Sequence, residues 1–140
     1  MNWKLIFQLS LFGLAMAIAT VFWIPSNIEP IFWLVIFVLC AYWIARGCTG
    51  KFFLHGFLVS LVNCVWITSF HVFLFSHYIS NHPKEAEMLS TMPLPRHPRW
   101  MMLLTGPIVG IISGLVLGLF AFIASKIWKS RVVVSGSEAK

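Results

Sequence analysis

The segment MMLLTGPIVGIISGLVLGLFAFIASKIW, residues 101–128, decides the fold of this chain. It is long and apolar enough to cross a hydrocarbon core of about 30 Å as a helix. Gly106, Gly110, Gly114 and Gly118 recur in it at every fourth position. Each would weaken a helix in water by about 1 kcal/mol relative to alanine, whereas in lipid such a glycine zipper lets a second helix approach closely. The segment therefore predicts a membrane helix that packs through its glycines.

The composition extends this interpretation to the whole chain. Hydrophobic residues make up 59% of the 140 residues and charged residues 10%, far from the usage of soluble domains. We therefore predict an all-α, polytopic membrane protein. Its single four-helix domain covers residues 1–131, and a short flexible cytoplasmic tail covers 132–140. The predicted spans are about 5–24, 30–45, 52–79 and 101–128.

The first span has some features of a cleaved signal peptide. Lys4 precedes an apolar stretch, and Ala15, Ala17 and Ala19 resemble a small-residue cleavage site. Apolar residues nevertheless continue as far as Pro25, which makes the segment longer than the apolar region of a signal peptide. We therefore expect a retained first helix.

Positive charges indicate the orientation, because cytoplasmic loops are enriched in Lys and Arg. With both termini in the cytoplasm, seven basic residues lie inside and three outside. The spans then form two hairpins, N-in and C-in, and a loop of about 20 residues joins the second pair outside. The inner residues are Lys4, Arg46, Lys51, Lys126, Lys129, Arg131 and Lys140; the outer ones are Lys84, Arg96 and Arg99.

Two interpretations of the glycine row, Gly106, Gly110, Gly114 and Gly118, follow from its spacing. It forms the interface with a second copy or a partner subunit, or it packs against another helix of the same chain. Spacing alone leaves both open, because angular positions on one helix do not identify its neighbour.

The third predicted span carries a polar stripe, Ser60, Asn63, Thr68 and His71, which share one helix face at 100° per residue. Unsatisfied polar groups are costly in lipid, so this face is predicted to point into the protein. The stripe either supplies hydrogen bonds between helices or lines a path for a solute. Asn63 and His71 are the strongest single candidates for a site. Gly56, Cys64 and Tyr78 fall on the same face.

A metal site is a weaker hypothesis. Imidazole, thioether and carboxylate groups near the outer side could suit copper or zinc, but their spacings match no ligand motif. The cysteines form no paired pattern and are expected to be small buried side chains. We therefore expect no metal and no cofactor. The outer candidates are His71, His77, His82, Glu85, Glu87 and His97, and the cysteines are Cys40, Cys48 and Cys64.

The sequence does not favour an enzyme. It contains no Asp, and no Glu lies within a predicted span. The carboxylate that usually orients a Ser–His pair is therefore missing, as are the acidic residues of most intramembrane proton relays.

Residues 50–79, which begin GKFFLHGFLVSL, resemble the third span of small four-span bacterial membrane proteins, and residues 106–127 resemble their fourth. Those proteins are classed only as domains of unknown function. The resemblance covers about half of the chain and rests on the placement of glycine and aromatic residues. It implies a bacterial inner-membrane location and a four-helix architecture, and it implies no activity, cofactor or catalytic residue.

Two hypotheses of function follow. The first is a non-enzymatic, multi-pass protein of the bacterial inner membrane that acts through helix association, as a homo-oligomer or as an accessory subunit of a membrane complex. The second is a small channel or transporter whose path follows the polar stripe. The expected partners are the lipid bilayer and either a second copy or another membrane subunit. Nucleic acid is not expected, because the formal charge of +6 is explained by membrane orientation.

Overall fold

The computed structural model describes residues 1–93 and 96–137, with side chains up to Trp128. Four helices in this part of the chain are long and apolar enough to span a membrane. The predicted all-α class with four candidate membrane spans is thus confirmed. The helices are α1 (Trp3–Phe22), α2 (Glu29–Gly47), α3 (Phe52–Phe73), α4 (Phe75–Asn81), α5 (Pro83–Thr91) and α6 (Pro98–Ser137), and the candidate spans are α1, α2, α3 and Pro98–Trp128 of α6.

Local sequence signals account for the helix starts. The Asn2 side chain accepts a hydrogen bond from the Leu5 backbone N–H at 3.1 Å and so caps α1. Glu29 and Pro30 open α2, where proline is tolerated because the first helical N–H groups have no helical partner. Lys51, with φ 53°, turns the chain from α2 into α3.

Helices α3 and α6 form the central pair of the bundle. Helix α1 packs against α3, and α2 packs against α6 with little contact to α1 or α3. Ile108, Ile112 and Leu119 are exposed on α6, while Gly110 and Gly114 are buried on its opposite side. Such apolar outer faces suit contact with lipid, and the arrangement leaves space between α2 and α3. We call the end of the bundle that carries α5 the α5 end, and the opposite end the terminal end.

The third span is shorter than predicted. Helix α3 ends at Phe73, Leu74 interrupts the helical backbone with φ −101° and ψ 31°, and α4 begins at Phe75. No proline or glycine marks this position in the sequence. The break lets α4 lie on α1, where the Asn81 amide donates to the Val21 carbonyl at 2.6 Å. Tertiary contact therefore ends a helix that the apolar pattern alone would continue to residue 79.

Two further predictions of the chain's organisation need adjustment. The predicted outer loop of about 20 residues contains α5, which begins with Pro83 in its first turn and Glu85 beside it, a favourable helix start. Helix α6 extends to Ser137, past the predicted start of the tail at 132. Residues 138–140 of that tail lie outside the described part of the chain.

Candidate functional site

A cavity of about 690 Å³ lies between α2, α3 and α6, and its lining reaches Glu85 at the α5 end. We call the end of the cavity lined by Glu29 and Glu85 its mouth. The size of the cavity falls within the range of about 300–1,000 Å³ that is typical of small-molecule sites. The wall combines apolar and polar residues. The polar lining comprises Ser26, Glu29, Ser60, Asn63, Cys64, Thr68, His71, Tyr78, Glu85, Thr105 and Ser113.

The cavity exists because α2 meets α6 mainly through bulky aromatic contacts away from the α5 end. Phe37 packs edge-on against Phe120 with ring centroids 6.4 Å apart, and Tyr42 packs against Trp128 at 4.7 Å. These pairs fill the space toward the terminal end. Toward the α5 end, Gly106 and Gly110 of α6 form part of the cavity wall.

Asn63 is a buried polar residue without a hydrogen-bond partner. Its side chain is 2% exposed, and neither its amide nitrogen nor its amide oxygen has a hydrogen-bond partner among the described residues. The amide lies against Gly13 of α1, where even a methyl group would overlap it. A buried amide offers two donors and two acceptor positions and is costly when all remain unused. Both amide atoms are enclosed by the protein, so they do not reach a solute in the cavity, although the residue forms part of the cavity wall.

His71 is fixed by α1. The Thr20 hydroxyl has one proton and donates it to the Met16 carbonyl at 2.8 Å. The 2.9 Å contact between Thr20 Oγ1 and His71 Nε2 therefore requires the imidazole N–H as donor. His71 Nδ1 is then left as an acceptor in a ring that lines the cavity.

This interhelical hydrogen bond gives a direct stability prediction. Thr20→Val should lower the free energy of unfolding by about 1 kcal/mol, the usual value of such bonds in membranes. Thr105→Val is the matched control, because the Thr105 hydroxyl donates only within its own helix, to Met101 at 2.9 Å and Met102 at 3.4 Å. Thermal unfolding in lipid nanodiscs measures both, and equal effects would show that the contact with His71 contributes nothing.

Three rings form a stack at the α5 end. The His71 and Tyr78 rings lie 4.0 Å apart, and the Tyr78 and His82 rings 4.3 Å apart. His82 Nδ1 donates to the Tyr78 carbonyl at 2.9 Å, while His82 Nε2 is buried without a partner among the described residues. Burial raises the pKa of the Tyr78 phenol above its usual value, and the Glu29 and Glu85 carboxylates raise it further. Tyr78 therefore stays a protonated donor beside the cavity mouth.

Part of the polar stripe faces α6 rather than α1. The Ser60 hydroxyl donates to the Gly110 carbonyl at 3.4 Å, and the Cys64 thiol donates to the Gly106 carbonyl at 3.1 Å. Thr68 contacts Gly106 through its side chain. The predicted stripe of four residues thus divides. Ser60 and Thr68 meet α6, as does Cys64 on the same face, whereas Asn63 and His71 meet α1. These five residues also line the cavity.

The glycine row lies along α3 of the same chain. A Cβ atom at Gly110 would lie 2.7 Å from the Cys64 side chain, one at Gly114 2.8 Å from the Phe57 ring, and one at Gly118 2.8 Å from the Phe53 carbonyl. Gly106 meets Thr68 in the same way. The row therefore lets α3 and α6 approach closely, and within this chain that surface is occupied.

The mouth of the cavity carries two carboxylates that the sequence analysis did not connect. Glu85 on α5 accepts a hydrogen bond from the Ser26 hydroxyl at 2.7 Å. Glu29 on α2 accepts one from the Trp33 indole N–H at 3.0 Å. Among the described residues, neither carboxylate has a Lys or Arg within ion-pair distance. The sequence could not show that these carboxylates line the same cavity, because 56 positions separate them and α5 lies outside every predicted span.

The remaining sequence candidates have other surroundings. No group of three or more His, Cys, Asp or Glu side chains within residues 1–93 and 96–128 could hold a metal ion. His55 accepts from the Asn2 backbone N–H at 3.0 Å and contacts the Lys51 carbonyl at 2.9 Å, so it ties the N-terminus to α3. Cys40, Cys48 and Cys64 are free thiols.

No family model, curated protein or solved structure matches this chain. The resemblance to uncharacterised four-span bacterial proteins stays a prediction. Any function must therefore be argued from the cavity and the residues that line it.

Proposed function

We propose that this protein is a non-enzymatic integral membrane protein that binds a small solute in the cavity between α2, α3 and α6. It acts as a small channel or transporter, and its path follows the polar stripe Ser60, Asn63, Thr68 and His71. This is the second of the two functions that the sequence suggested.

The polar lining of the cavity carries the proposal, and His71 is its clearest member. The ring lines the cavity and donates to Thr20 through Nε2, while Nδ1 has no hydrogen-bond partner among the described residues. Side chains that served only to join helices would lie between them, whereas Ser60, Thr68 and His71 also line an open volume of about 690 Å³. A bound solute or its water would supply the partner that Nδ1 lacks and account for polar residues that are costly in lipid.

The orientation N-in, C-in in a bacterial inner membrane is part of the same proposal. Seven basic residues then lie on the cytoplasmic side and three on the outside, as the positive-inside rule requires. The α5 end of the bundle faces outward in this orientation, so the mouth of the cavity lies on the outer side. The aromatic contacts of Phe37 with Phe120 and of Tyr42 with Trp128 close the space toward the cytoplasm.

Helix association through the glycine row, the first function suggested by the sequence, has less support. Gly110, Gly114 and Gly118 are buried against α3 within one chain. Association with a second copy or with another membrane subunit would therefore use a different surface of the bundle.

Chemical access to Cys64 tests the proposal. Cys64 lines the cavity and is partly exposed, whereas Cys40 is fully buried. Modification requires the thiolate, which forms where water reaches the sulfur. In membranes containing a variant whose only cysteine is Cys64, neutral methyl methanethiosulfonate should modify it. The matched variant with Cys40 alone should resist the reagent.

Mass spectrometry of the two single-cysteine chains gives the result directly. Modification of Cys64 that is no faster than that of Cys40 would mean that the cavity is closed to solutes. That result would contradict the proposed function.

A further inference from the structure

We propose that the solute is a lipophilic cation: an ammonium or other onium group bound between Glu29 and Glu85, joined to an apolar body that occupies the cavity. This inference rests on the proposed function and adds the chemical class of the ligand. It is argued from the charge at the mouth, from the aromatic and apolar residues of the wall, and from an unpartnered imidazole nitrogen on the wall.

The charge of the lining is the first argument. The cavity wall includes two carboxylates, Glu29 and Glu85, and no Lys or Arg. Each carboxylate accepts one neutral hydrogen bond, from Trp33 and Ser26 respectively, and neither forms an ion pair within residues 1–93 and 96–128. Both are partly buried. Two carboxylates in a partly desolvated mouth attract a cation, and they repel an anion strongly.

The second argument is the wall beside these carboxylates. The Trp33 indole lies next to Glu29, because it donates to that carboxylate at 3.0 Å, and it lines the cavity. An indole face is favourable for an onium group, since the ring quadrupole attracts a desolvated cation. Tyr78 offers no such face, because its ring is stacked between those of His71 and His82. The apolar part of the wall would accept a hydrophobic body. Its residues are Leu34, Phe37, Ile67, Met102, Val109, Val116 and Phe120.

His71 is the third, independent argument. The residue is 93% buried, counted from its 7% exposure, and its Nδ1 acceptor has no partner among the described residues. Its ring lines the cavity. A ligand with a polar donor on its apolar body would use this nitrogen, and a simple onium would leave it to water. The acidic mouth and this nitrogen together indicate a ligand that makes polar contacts at more than one point of the wall.

Tetraphenylphosphonium is a suitable probe, and tetraphenylborate is its control of the same shape and opposite charge. Purified full-length protein in nanodiscs should bind tetraphenylphosphonium saturably, beyond its partitioning into empty nanodiscs, and should not bind tetraphenylborate. Glu29→Gln and Glu85→Gln should each weaken binding about tenfold, the usual effect of losing a charge-assisted contact. Glu87→Gln is the matched control, because Glu87 is exposed on α5 and does not line the cavity.

A lipid headgroup and a free solute could both supply the cation. Two nanodisc preparations distinguish these two sources of the cation. Both contain the same fraction of phosphatidylglycerol. The remaining lipid is phosphatidylethanolamine, which carries an ammonium group, in one preparation and a neutral glucosyl diacylglycerol in the other. Weaker probe binding in phosphatidylethanolamine would identify the lipid ammonium as the competitor, and equal binding would identify a free lipophilic cation. Either result supports a cation site.

Binding that is unchanged in both glutamine variants, or equal binding of tetraphenylborate, would overturn the inference. If methyl methanethiosulfonate still reached Cys64 in that case, the proposed function would stand and only the ligand class would be wrong. Thermal unfolding of each glutamine variant confirms that the chain is folded when binding is measured.

Discussion

Gly118→Ala and Gly56→Ala should each lower the free energy of unfolding by about 1–3 kcal/mol, the typical cost of overpacking a close contact. A Cβ atom at Gly118 would lie 2.8 Å from the Phe53 carbonyl oxygen, and one at Gly56 would lie 2.7 Å from the Leu117 carbonyl oxygen. These neighbours are backbone atoms, which cannot rotate away. The two central helices must therefore separate to admit a methyl group.

The expected loss runs against intrinsic helix propensity, which favours alanine over glycine by about 1 kcal/mol. Gly110→Ala should cost less, because its nearest neighbour is the Cys64 side chain rather than backbone. Gly50→Ala is the control, since nothing lies within 4 Å of a Cβ atom there. Thermal unfolding in nanodiscs measures the series. Equal stability of the Gly118→Ala and Gly50→Ala chains would contradict close packing of α3 on α6.

The same glycine series separates the two interpretations of the row. If the row joins α3 to α6 within one chain, Gly118→Ala weakens the folded protomer and leaves its oligomeric state unchanged. If the row joined two chains, the same substitution would change the oligomeric state and leave the protomer's stability intact. Size-exclusion chromatography coupled to light scattering, run beside the unfolding measurement, reports which of these occurs.

Asn63→Leu should raise the free energy of unfolding by about 1–3 kcal/mol. Leucine has as many side-chain heavy atoms as asparagine, and it removes two buried polar atoms that have no partner among the described residues. These atoms are enclosed against Gly13 rather than open to the cavity, so binding of tetraphenylphosphonium should be unchanged.

Gln8→Leu is the matched control, an amide-to-leucine change at an exposed position of α1. It should change the free energy of unfolding little, because its side chain is not buried. Thermal unfolding and probe binding are measured on the same preparations. A clear loss of stability in Asn63→Leu would mean that the amide already has a partner within the protein, and its role would then be structural.

Much of the architecture could be predicted from the sequence because lipid imposes simple rules on it. Apolar length indicated four spans, and the small-residue spacing indicated that the fourth packs closely on another helix. Helical periodicity placed Asn63 and His71 on an inward face. These features depend on local composition and helix geometry alone, and the helices α1, α2, α3 and α6 agree with them.

What the sequence could not predict depends on contacts between distant segments. Periodicity placed Asn63 and Ser60 on the same helix face. It could not show that Asn63 lies against Gly13 of α1, whereas the Ser60 hydroxyl donates to α6. The end of α3 at Phe73 depends on α4 docking against α1, and no local signal marks it. The meeting of Glu29 and Glu85 at one mouth requires α5, a helix that lies within the predicted loop.

Native mass spectrometry of wild-type and Thr105→Trp chains, released from nanodiscs prepared directly from the expressing membrane, tests the central claim most directly. Thr105 lines the cavity, and an indole at this position would fill part of it. The wild-type protomer should carry one added mass, which identifies the ligand, and the Thr105→Trp protomer should lack it. Identical spectra for the two chains would contradict a solute site in the cavity.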